Sequence, residues 1–250
     1  MLYIIGIGLG TEKSLSIESI ESINKCSIVY IENYTSKIGF EIENLKKLLN
    51  DNNREIILAD RTLVESGTEI LSKSKDSEVA LLIKGDIFSA TTHISLFVMA
   101  KKENIKVKTL HNASIFTAIG DTGLSLYKFG KIASIPFNYK NILAPFEIFL
   151  ENGCGEKMHT LFLLDLNPKE NKYMNFKDGL NYFKENGDGS INSDTYFVVC
   201  AGLGTDNSVI KYGKIKDLLN IEINVYPQCI IIPGELHFME EEMLELFRHF

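Results

Sequence analysis

The chain has 250 residues, 45% hydrophobic and 24% charged, which is the balance of a globular protein with one large domain or two smaller ones. Its net charge of −7 argues against a nonspecific nucleic-acid binder, which would carry a basic face. No apolar run approaches the roughly twenty residues that span a bilayer, and residues 1–6 lack the features of a secretory signal. We therefore expect a cytoplasmic protein that binds neither membrane nor nucleic acid.

The four cysteines, Cys26, Cys154, Cys200 and Cys229, are widely spaced along the chain. This spacing matches neither a zinc site nor the disulfide framework of a small secreted domain. Three of the four lie in apolar, strand-like runs. We therefore expect reduced thiols, mostly packed in the core, and no metal site.

An apolar strand at residues 2–7 runs into the glycine loop of residues 6–11. A dinucleotide-binding fingerprint requires its third glycine three residues after the second, where this chain has Thr11. Glu32 is only a weak candidate for the acidic residue that would contact a ribose. The pattern therefore does not favour NAD, although the glycines still allow the backbone to approach a ligand closely.

Strands and helices alternate through the first half of the chain. Ser16 is a plausible N-cap for the first helix. Further strands are expected at residues 27–32, 55–58, 79–83 and 106–110, and further helices at residues 40–49, 63–75 and 94–101. Strand and helix at this spacing predict parallel pairing and an α/β sandwich.

The stretch from Gly85 to His93 follows the strand at 79–83 and enters a helix. It combines a glycine and a carboxylate, Asp86, with hydroxyl groups from Ser89, Thr91 and Thr92. In an open α/β sheet, ligands bind at this end of the strands, where helix starts also offer unpaired N–H groups. The same residue types serve ordinary turns and caps, so composition alone leaves a ligand site and a simple turn open.

A polar turn at residues 111–115 ends the strand at 106–110. Parallel strands would bring this turn, the glycine loop of residues 6–11 and the stretch 85–93 to one edge of the sheet. The domain boundary is expected just beyond this turn, which divides the chain into residues 1–112 and 113–250. In the second part, strands are expected at residues 131–136, 159–164, 195–200 and 229–232. Residues 167–194 are rich in Asn, Lys, Asp and Gly, which predicts an exposed insertion containing one helix at 176–185. The tail, 235–250, has the pattern of a helix packed on its own sheet.

Six motifs, in order along nearly the whole chain, resemble those of the diphthine synthase family. They are residues 1–9 (MLYIIGIGL), 85–93 (GDIFSATTH), 111–115 (HNASI), 126–130 (LYKFG), 158–165 (MHTLFLLD) and 233–237 (PGELH). Several are specific to that family within the tetrapyrrole methylase-like superfamily. The resemblance implies an α/β protein with two α/β domains of tetrapyrrole-methylase type and a cofactor cleft between them. It also implies a homodimer.

The same resemblance implies a class III methyltransferase that uses S-adenosyl-L-methionine and releases S-adenosyl-L-homocysteine. Its substrate would be translation elongation factor 2, on the 3-amino-3-carboxypropyl group already attached to one histidine. Archaeal members trimethylate the amine, whereas eukaryotic members also methylate the carboxylate to give diphthine methyl ester. Residues 9–10 and 111–113 resemble the eukaryotic form, which favours the tetramethylating reaction.

Carried over position by position, the resemblance gives eight cofactor-binding residues: Leu9, Asp86, Ser89, Ser114, Ile115, Leu164, Leu203 and Gln228. Two positions depart from the family pattern. Gln228 stands where relatives often have histidine, and the alignment allows Cys229 there instead. Gly202 stands where relatives commonly have arginine, so a carboxylate held by that arginine would have to be held differently here.

Methyl transfer from a sulfonium is an in-line displacement that needs positioning and exclusion of water more than acid–base groups. We therefore assign no catalytic residue and expect Asp86 to orient the cofactor. His93 and His111 are candidates for a base, although His93 could instead cap a helix. Two other functions stay open: a methyltransferase of the same fold acting on a tetrapyrrole or other small molecule, and a regulatory module that binds a nucleotide without chemistry.

Overall fold

The computed structural model describes residues 1–36, 38–51, 54–154 and 157–248. The chain forms two compact units: Met1–Phe116 with Asn167–Glu170, and Thr117–Leu166 with Asn171–Phe250. The division after Phe116 lies four residues beyond the boundary expected from the sequence. No helix in the described ranges is long and apolar enough to cross a membrane.

The first unit is built on five parallel strands, as the alternation of strands and helices predicts. In chain order they are β1 (Leu2–Gly6), β2 (Ile28–Glu32), β3 (Ile56–Ala59), β4 (Val79–Ile83) and β5 (Val107–Leu110). Their spatial order is β3-β2-β4-β1-β5, and Leu2 pairs with both Val79 and Val107. Alternate residues of β1 enter two different cores, Ile4 one and Ile5 the other. Both faces of the sheet are therefore covered, which is why its strands are apolar throughout.

Among the described residues, five α-helices belong to this unit alone: α1 (Ile17–Lys25), α2 (Ile42–Leu48), α3 (Arg61–Ser66), α4 (Thr68–Asp76) and α5 (Ile94–Lys102). A short helix, α6 (Ile115–Ala118), lies at the division between the units. The N-cap predicted at Ser16 is confirmed, since its Oγ accepts a hydrogen bond from the Ser19 N–H at 3.1 Å. The single helix predicted at 63–75 is wrong, because Gly67 takes a left-handed conformation (φ 65°) that ends α3 and begins α4.

The second unit contains a mostly antiparallel sheet formed by β6 (Ala133–Ile135), β7 (Thr160–Leu164), β10 (Tyr196–Ala201), β11 (Val209–Lys214) and β12 (Gln228–Ile232). Two short strands, β8 (Leu166–Asn167) and β9 (Lys172–Tyr173), lie where the chain passes between the units. The large sheet has the order β11-β10-β12-β7-β6, in which only β6 and β7 pair in parallel. The sequence prediction missed β11. It is an edge strand with two lysines and a glycine, and it lacks the apolar run of a central strand.

In the described part of the second unit, the further α-helices are α7 (Ala144–Gly153), α8 (Phe176–Asn186), α9 (Ile215–Leu218) and α10 (Phe238–Glu245). The prediction of an exposed insertion at 167–194 is wrong. Phe176, Leu180 and Phe183 of α8 are fully buried and lie in the core of this unit. Their helical spacing directs them inward, while the polar residues that dominate the composition face outward. Phe250, the last residue of the predicted tail helix, lies outside the described residues.

Candidate functional site

The loops that follow β1 and β4 meet at one edge of the first sheet. Gly8 and Gly85 form a small antiparallel bridge, in which each donates its N–H to the carbonyl of the other, at 3.1 and 3.0 Å. Both glycines have positive φ, 71° and 78°, a conformation that costs an L-residue with a side chain about 1–2 kcal/mol. The two loops therefore depend on glycine for their pairing.

Asp86 joins the second of these loops to the turn after β5. Its Oδ1 accepts hydrogen bonds from the Phe88 N–H at 3.1 Å and the Ser89 hydroxyl at 3.2 Å. Its Oδ2 lies 2.8 Å from His111 Nδ1 and accepts the Asn112 N–H at 3.2 Å. Because a carboxylate accepts about four hydrogen bonds, these protein donors use nearly its whole capacity.

Asp86 is buried but ionised. Burial raises the pKa of a carboxyl, yet the hydrogen bonds from Phe88, His111 and Asn112 outweigh it and hold the pKa of Asp86 below its ordinary value. A charged carboxylate only accepts hydrogen bonds, so His111 carries its proton on Nδ1. The negative charge is thus balanced by donors from two loops that are far apart in the sequence.

Asn112 ties the third loop to the first. Its Nδ2 donates to the carbonyls of Gly6 and Ser14, each at 3.0 Å, and its Oδ1 accepts the Ala113 N–H at 2.8 Å. A Cβ atom on Gly6 would lie 2.7 Å from the Gly85 carbonyl oxygen and 3.1 Å from Asn112 Cβ. The three loops are consequently in such close contact at Gly6 that no side chain fits between them.

We expect Gly6→Ala to separate the three loops and to lower the protein's affinity for its ligand at least tenfold. The added methyl group should also lower the free energy of unfolding, because overpacking costs roughly 1–3 kcal/mol. Gly153→Ala is the matched control, because a Cβ there meets nothing within 4 Å. Calorimetric unfolding and ligand titration of both variants measure the effect. If Gly6→Ala and Gly153→Ala had the same unfolding temperature and the same ligand affinity, the close contact described at Gly6 would be contradicted.

Five of the sequence-predicted site residues lie in the first unit, at the loops that follow its strands. Asp86 and Ser89 are hydrogen-bonded, as described above. A Cβ atom on Gly85 would lie 3.8 Å from Leu9 Cδ2 and 3.9 Å from Ser114 Cα, so Leu9 and Ser114 flank that glycine. Ile115, half-buried, follows Ser114 as the first residue of α6.

The other three predicted residues lie at one edge of the second sheet. Leu164 ends β7, and the pairing of its neighbour Leu163 with Cys229 places Leu164 beside Gln228. Gln228 pairs with Ala201, the last residue of β10, and Leu203 follows two residues later. Each unit therefore collects its own share of the predicted residues at one sheet edge.

The side chain of Gln228 is engaged with the backbone. Its Oε1 accepts the Phe176 N–H at 2.7 Å, and its Nε2 donates to the carbonyls of Ile223 and Val225 at 2.9 Å each. Cys229 lies directly opposite Cys200 on β10. These contacts give Gln228 a structural role, and they leave open whether it or Cys229 fills the last cofactor position.

Gly202 also has a local reason to be glycine. It has a φ of 57°, and a Cβ atom there would lie 2.5 Å from Val225 Cγ1. The arginine that the family resemblance leads one to expect would need the 223–225 segment to move.

His93 is buried and does not cap α5 with its side chain. Its Nε2 lies 3.3 Å from the Tyr34 hydroxyl, and its buried Nδ1 has no hydrogen-bond partner among the described residues. Burial lowers the pKa of His93 to about 4, so the ring is neutral at physiological pH. A histidine with so low a pKa is a weak base, which disfavours it as the proton acceptor for an amine.

The sequence prediction missed Lys84, which stands between the apolar strand β4 and Gly85. Its Nζ donates to the carbonyls of Leu9 and Gly10, the latter at 2.8 Å. Its position directly after a fully buried strand could have drawn attention to it in the sequence, because a charge there must either reach solvent or form hydrogen bonds within the protein.

Three of the motifs that carry the family resemblance meet in the second unit, around the buried carboxylate of Glu240. Its Oε1 accepts the Ser125 N–H at 2.9 Å and lies 3.2 Å from His159 Nε2. Its Oε2 accepts from Lys128 Nζ at 2.6 Å and the His237 N–H at 2.8 Å. The fully buried His159 accepts the Gly234 N–H on Nδ1, so its proton is on Nε2, which donates to Glu240. Motifs that look functional in the sequence therefore form a structural network here.

Residues 1–219 match the family described as tetrapyrrole (corrin/porphyrin) methylases. The diphthine synthase of Methanocaldococcus jannaschii is 38% identical over 255 residues, which cover 98% of each chain. The diphthine methyl ester synthase of Dictyostelium discoideum is 37% identical over 276 residues, covering 99% of this chain and 98% of that protein. A crystal structure of a diphthine synthase aligns with a TM-score of 0.88 at 29% identity, over 99% of this chain and 96% of the other.

Proposed function

The chain belongs to the tetrapyrrole methylase family, and we propose that it is the S-adenosylmethionine-dependent methyltransferase of diphthamide biosynthesis. Its acceptor is the 3-amino-3-carboxypropyl-histidine of translation elongation factor 2. The observation that carries this proposal is end-to-end similarity to enzymes named for that step, diphthine synthase and diphthine methyl ester synthase. The six motifs support the same conclusion, and the family resemblance supports a homodimer acting in the cytoplasm.

The residues at the first sheet edge fit S-adenosylmethionine. Gly85 has no side chain, and the atoms nearest to where one would stand belong to Leu9, Ala113 and Ser114 at 3.8–3.9 Å, which is ordinary contact distance for a small group. Leu9 supplies an apolar side chain beside Gly85, and Ser89 supplies a hydroxyl that is hydrogen-bonded to Asp86, the residue after Gly85. Ligand sites combine a largely apolar lining with a few oriented polar groups, as a cofactor with an adenine ring, a ribose and an amino-acid tail requires.

Each residue has a definite part in holding the cofactor. The Ser89 hydroxyl gives its hydrogen to Asp86, so its lone pairs are free to accept from a ligand's amine or hydroxyl groups. Asp86 acts mainly by fixing Ser89 and the 111–112 turn. Leu9, Ile115, Leu164 and Leu203 supply apolar contacts. Gln228 holds the backbone at the start of α8 and in the 223–225 segment.

The bound cofactor supplies an activated methyl group on a sulfonium, which leaves as a neutral thioether and needs no acid. The protein's part is to hold donor and acceptor in line and to exclude water. An acceptor amine must lose one proton, and desolvation lowers its pKa toward the cellular range. An acceptor carboxylate is already nucleophilic. The neutral His93 and the hydrogen-bonded His111 are consistent with a reaction that needs no strong base.

Incubation with S-adenosylmethionine and elongation factor 2 that bears the aminocarboxypropyl histidine, followed by mass spectrometry of the factor, tests this function. A gain of four methyl groups identifies the ester-forming enzyme, and a gain of three identifies the trimethylating one. Factor with an unmodified histidine is the control and should gain none. Methylation of a tetrapyrrole precursor, with the factor unchanged, would instead support the small-molecule reaction. Failure to bind the cofactor at all would contradict both.

A further inference from the structure

Lys84 places a positive charge beside the glycine loop. It immediately precedes Gly85 and Asp86, and its Nζ donates to the carbonyls of Leu9 and Gly10. Gly39 packs closely against this ammonium group, since a Cβ atom on Gly39 would lie 2.4 Å from the Gly10 oxygen and 3.1 Å from Lys84 Nζ. The ammonium group is therefore held at the sheet edge that collects the predicted cofactor residues of the first unit.

No carboxylate in the described part of the chain forms an ion pair with this ammonium group. Burial alone lowers the pKa of Lys84, to about 8, with no opposing contribution from a nearby acid. Lys84 is only partly exposed, and a lysine with little access to water is normally paired, because an uncompensated charge is costly to remove from water. An ammonium has three N–H donors, and the two carbonyls account for two of them. One donor and a full positive charge are left for an anion.

We propose that Lys84 binds a carboxylate of the bound substrates. This inference rests on the proposed function, in which the methionine part of the cofactor and the aminocarboxypropyl group of the acceptor each carry one. Lys84 can pair with either carboxylate, because an ammonium group attracts a carboxylate as a point charge whichever molecule carries it. Anchoring the loop alone would need only neutral donors, so the retained charge is explained by an anionic partner.

Calorimetric titration of Lys84→Met with S-adenosylmethionine and with decarboxylated S-adenosylmethionine tests the cofactor as the source. If Lys84 binds the cofactor's carboxylate, we expect a roughly 10- to 100-fold loss of affinity for S-adenosylmethionine, the range for a hydrogen bond between charged groups. Affinity for the decarboxylated form should stay at the wild-type level. Lys84→Arg, which keeps the charge, should retain the preference for the carboxylated form, and Lys13→Met, an exposed lysine near the same loop, should change nothing.

Methyl-transfer kinetics on the modified elongation factor tests the acceptor as the source. In that case Lys84→Met binds S-adenosylmethionine with wild-type affinity, and the KM for the elongation factor rises roughly 10- to 100-fold while kcat stays near wild type. Equal weakening of both cofactor forms with an unchanged KM would show that Lys84 only anchors the loop, and no change in any constant would equally overturn the inference. Failure of the wild-type protein to bind the cofactor or to methylate the factor would refute the proposed function itself, and is seen before any variant is made.

Discussion

Asp86→Ala is expected to lower the rate of methyl transfer at low substrate about 10²-fold, the effect of misplacing groups by about 1 Å at a site that works by positioning. The substitution leaves the Phe88 and Asn112 N–H groups without their acceptor and frees Ser89 and His111. Each buried donor left unpaired costs about 1–3 kcal/mol. We therefore expect a lower midpoint of thermal unfolding together with weaker cofactor binding.

Cofactor titration, steady-state kinetics and calorimetric unfolding of this variant measure the effect, with the exposed Asp76→Ala as the control in the same unit. Unchanged affinity and rate would rule out Asp86 as the organising residue of the site. Asp86→Asn separates charge from shape. The pKa of Asp86 is depressed in the folded protein, so its ionised form stabilises above its unfolded pKa, and this contribution is lost as pH falls through the folded value. The asparagine variant should not show that part of the acid-induced loss of stability.

Glu240→Ala is expected to destabilise the second unit by about 3–5 kcal/mol, the cost of removing one partner from a buried charged pair. Glu240 accepts from Ser125, Lys128, His159 and His237, which belong to three separate segments. Without it, the fully buried His159 loses its carboxylate acceptor, and the Lys128 ammonium is left with the Glu235 carbonyl. Thermal or denaturant unfolding measures the loss, and Glu241→Ala, on the exposed face of the same helix, should stay close to wild type.

The effect of Glu240 should depend on pH. Burial raises the pKa of this carboxyl, but hydrogen bonds from His237, Lys128 and Ser125 outweigh it, so the pKa lies below its ordinary value. A depressed carboxyl pKa gives stability that is complete above the unfolded pKa and is lost as pH falls through the folded one. The difference in stability between wild type and Glu240→Ala should therefore be largest near neutral pH and shrink in acid. A difference independent of pH would mean that packing, not charge, holds α10 in place.

Local patterns were enough to predict most of the sheet framework. The strand at Val79–Ile83 was predicted residue for residue, because five apolar residues between polar turns have few alternatives. The edge strand β11 was missed, since its exposed face is polar. The buried helix α8 was taken for part of an insertion because average composition hid the spacing of Phe176, Leu180 and Phe183. The spacing of apolar residues was thus a better guide to burial than the average composition of the segment.

The candidate site was only partly predictable. The sequence places Asp86 at a strand end, but its partners His111 and Asn112 lie 25 and 26 residues further along the chain. Nothing local to either segment shows that they meet. The same is true of Glu240, whose partners at 125, 128 and 159 are brought to it by the fold alone. The family resemblance pointed to the segments that contain Asp86 and His111, and the structure shows that Asp86 and Glu240 each hold several segments of the protein together.

The strand orders of the two sheets bear on how the protein folds during synthesis. All five strands of the first sheet lie within residues 2–110, so the ribosome has made this sheet's whole sequence before it reaches β6, the first strand of the second sheet. The second sheet has β12, residues 228–232, at its centre, between β10 and β7. The apolar strands β7 and β10 therefore remain without the strand that pairs with both of them until residues 228–232 have been made. Domains generally fold as units, the N-terminal one first, so aggregation during translation should involve the second unit far more than the first.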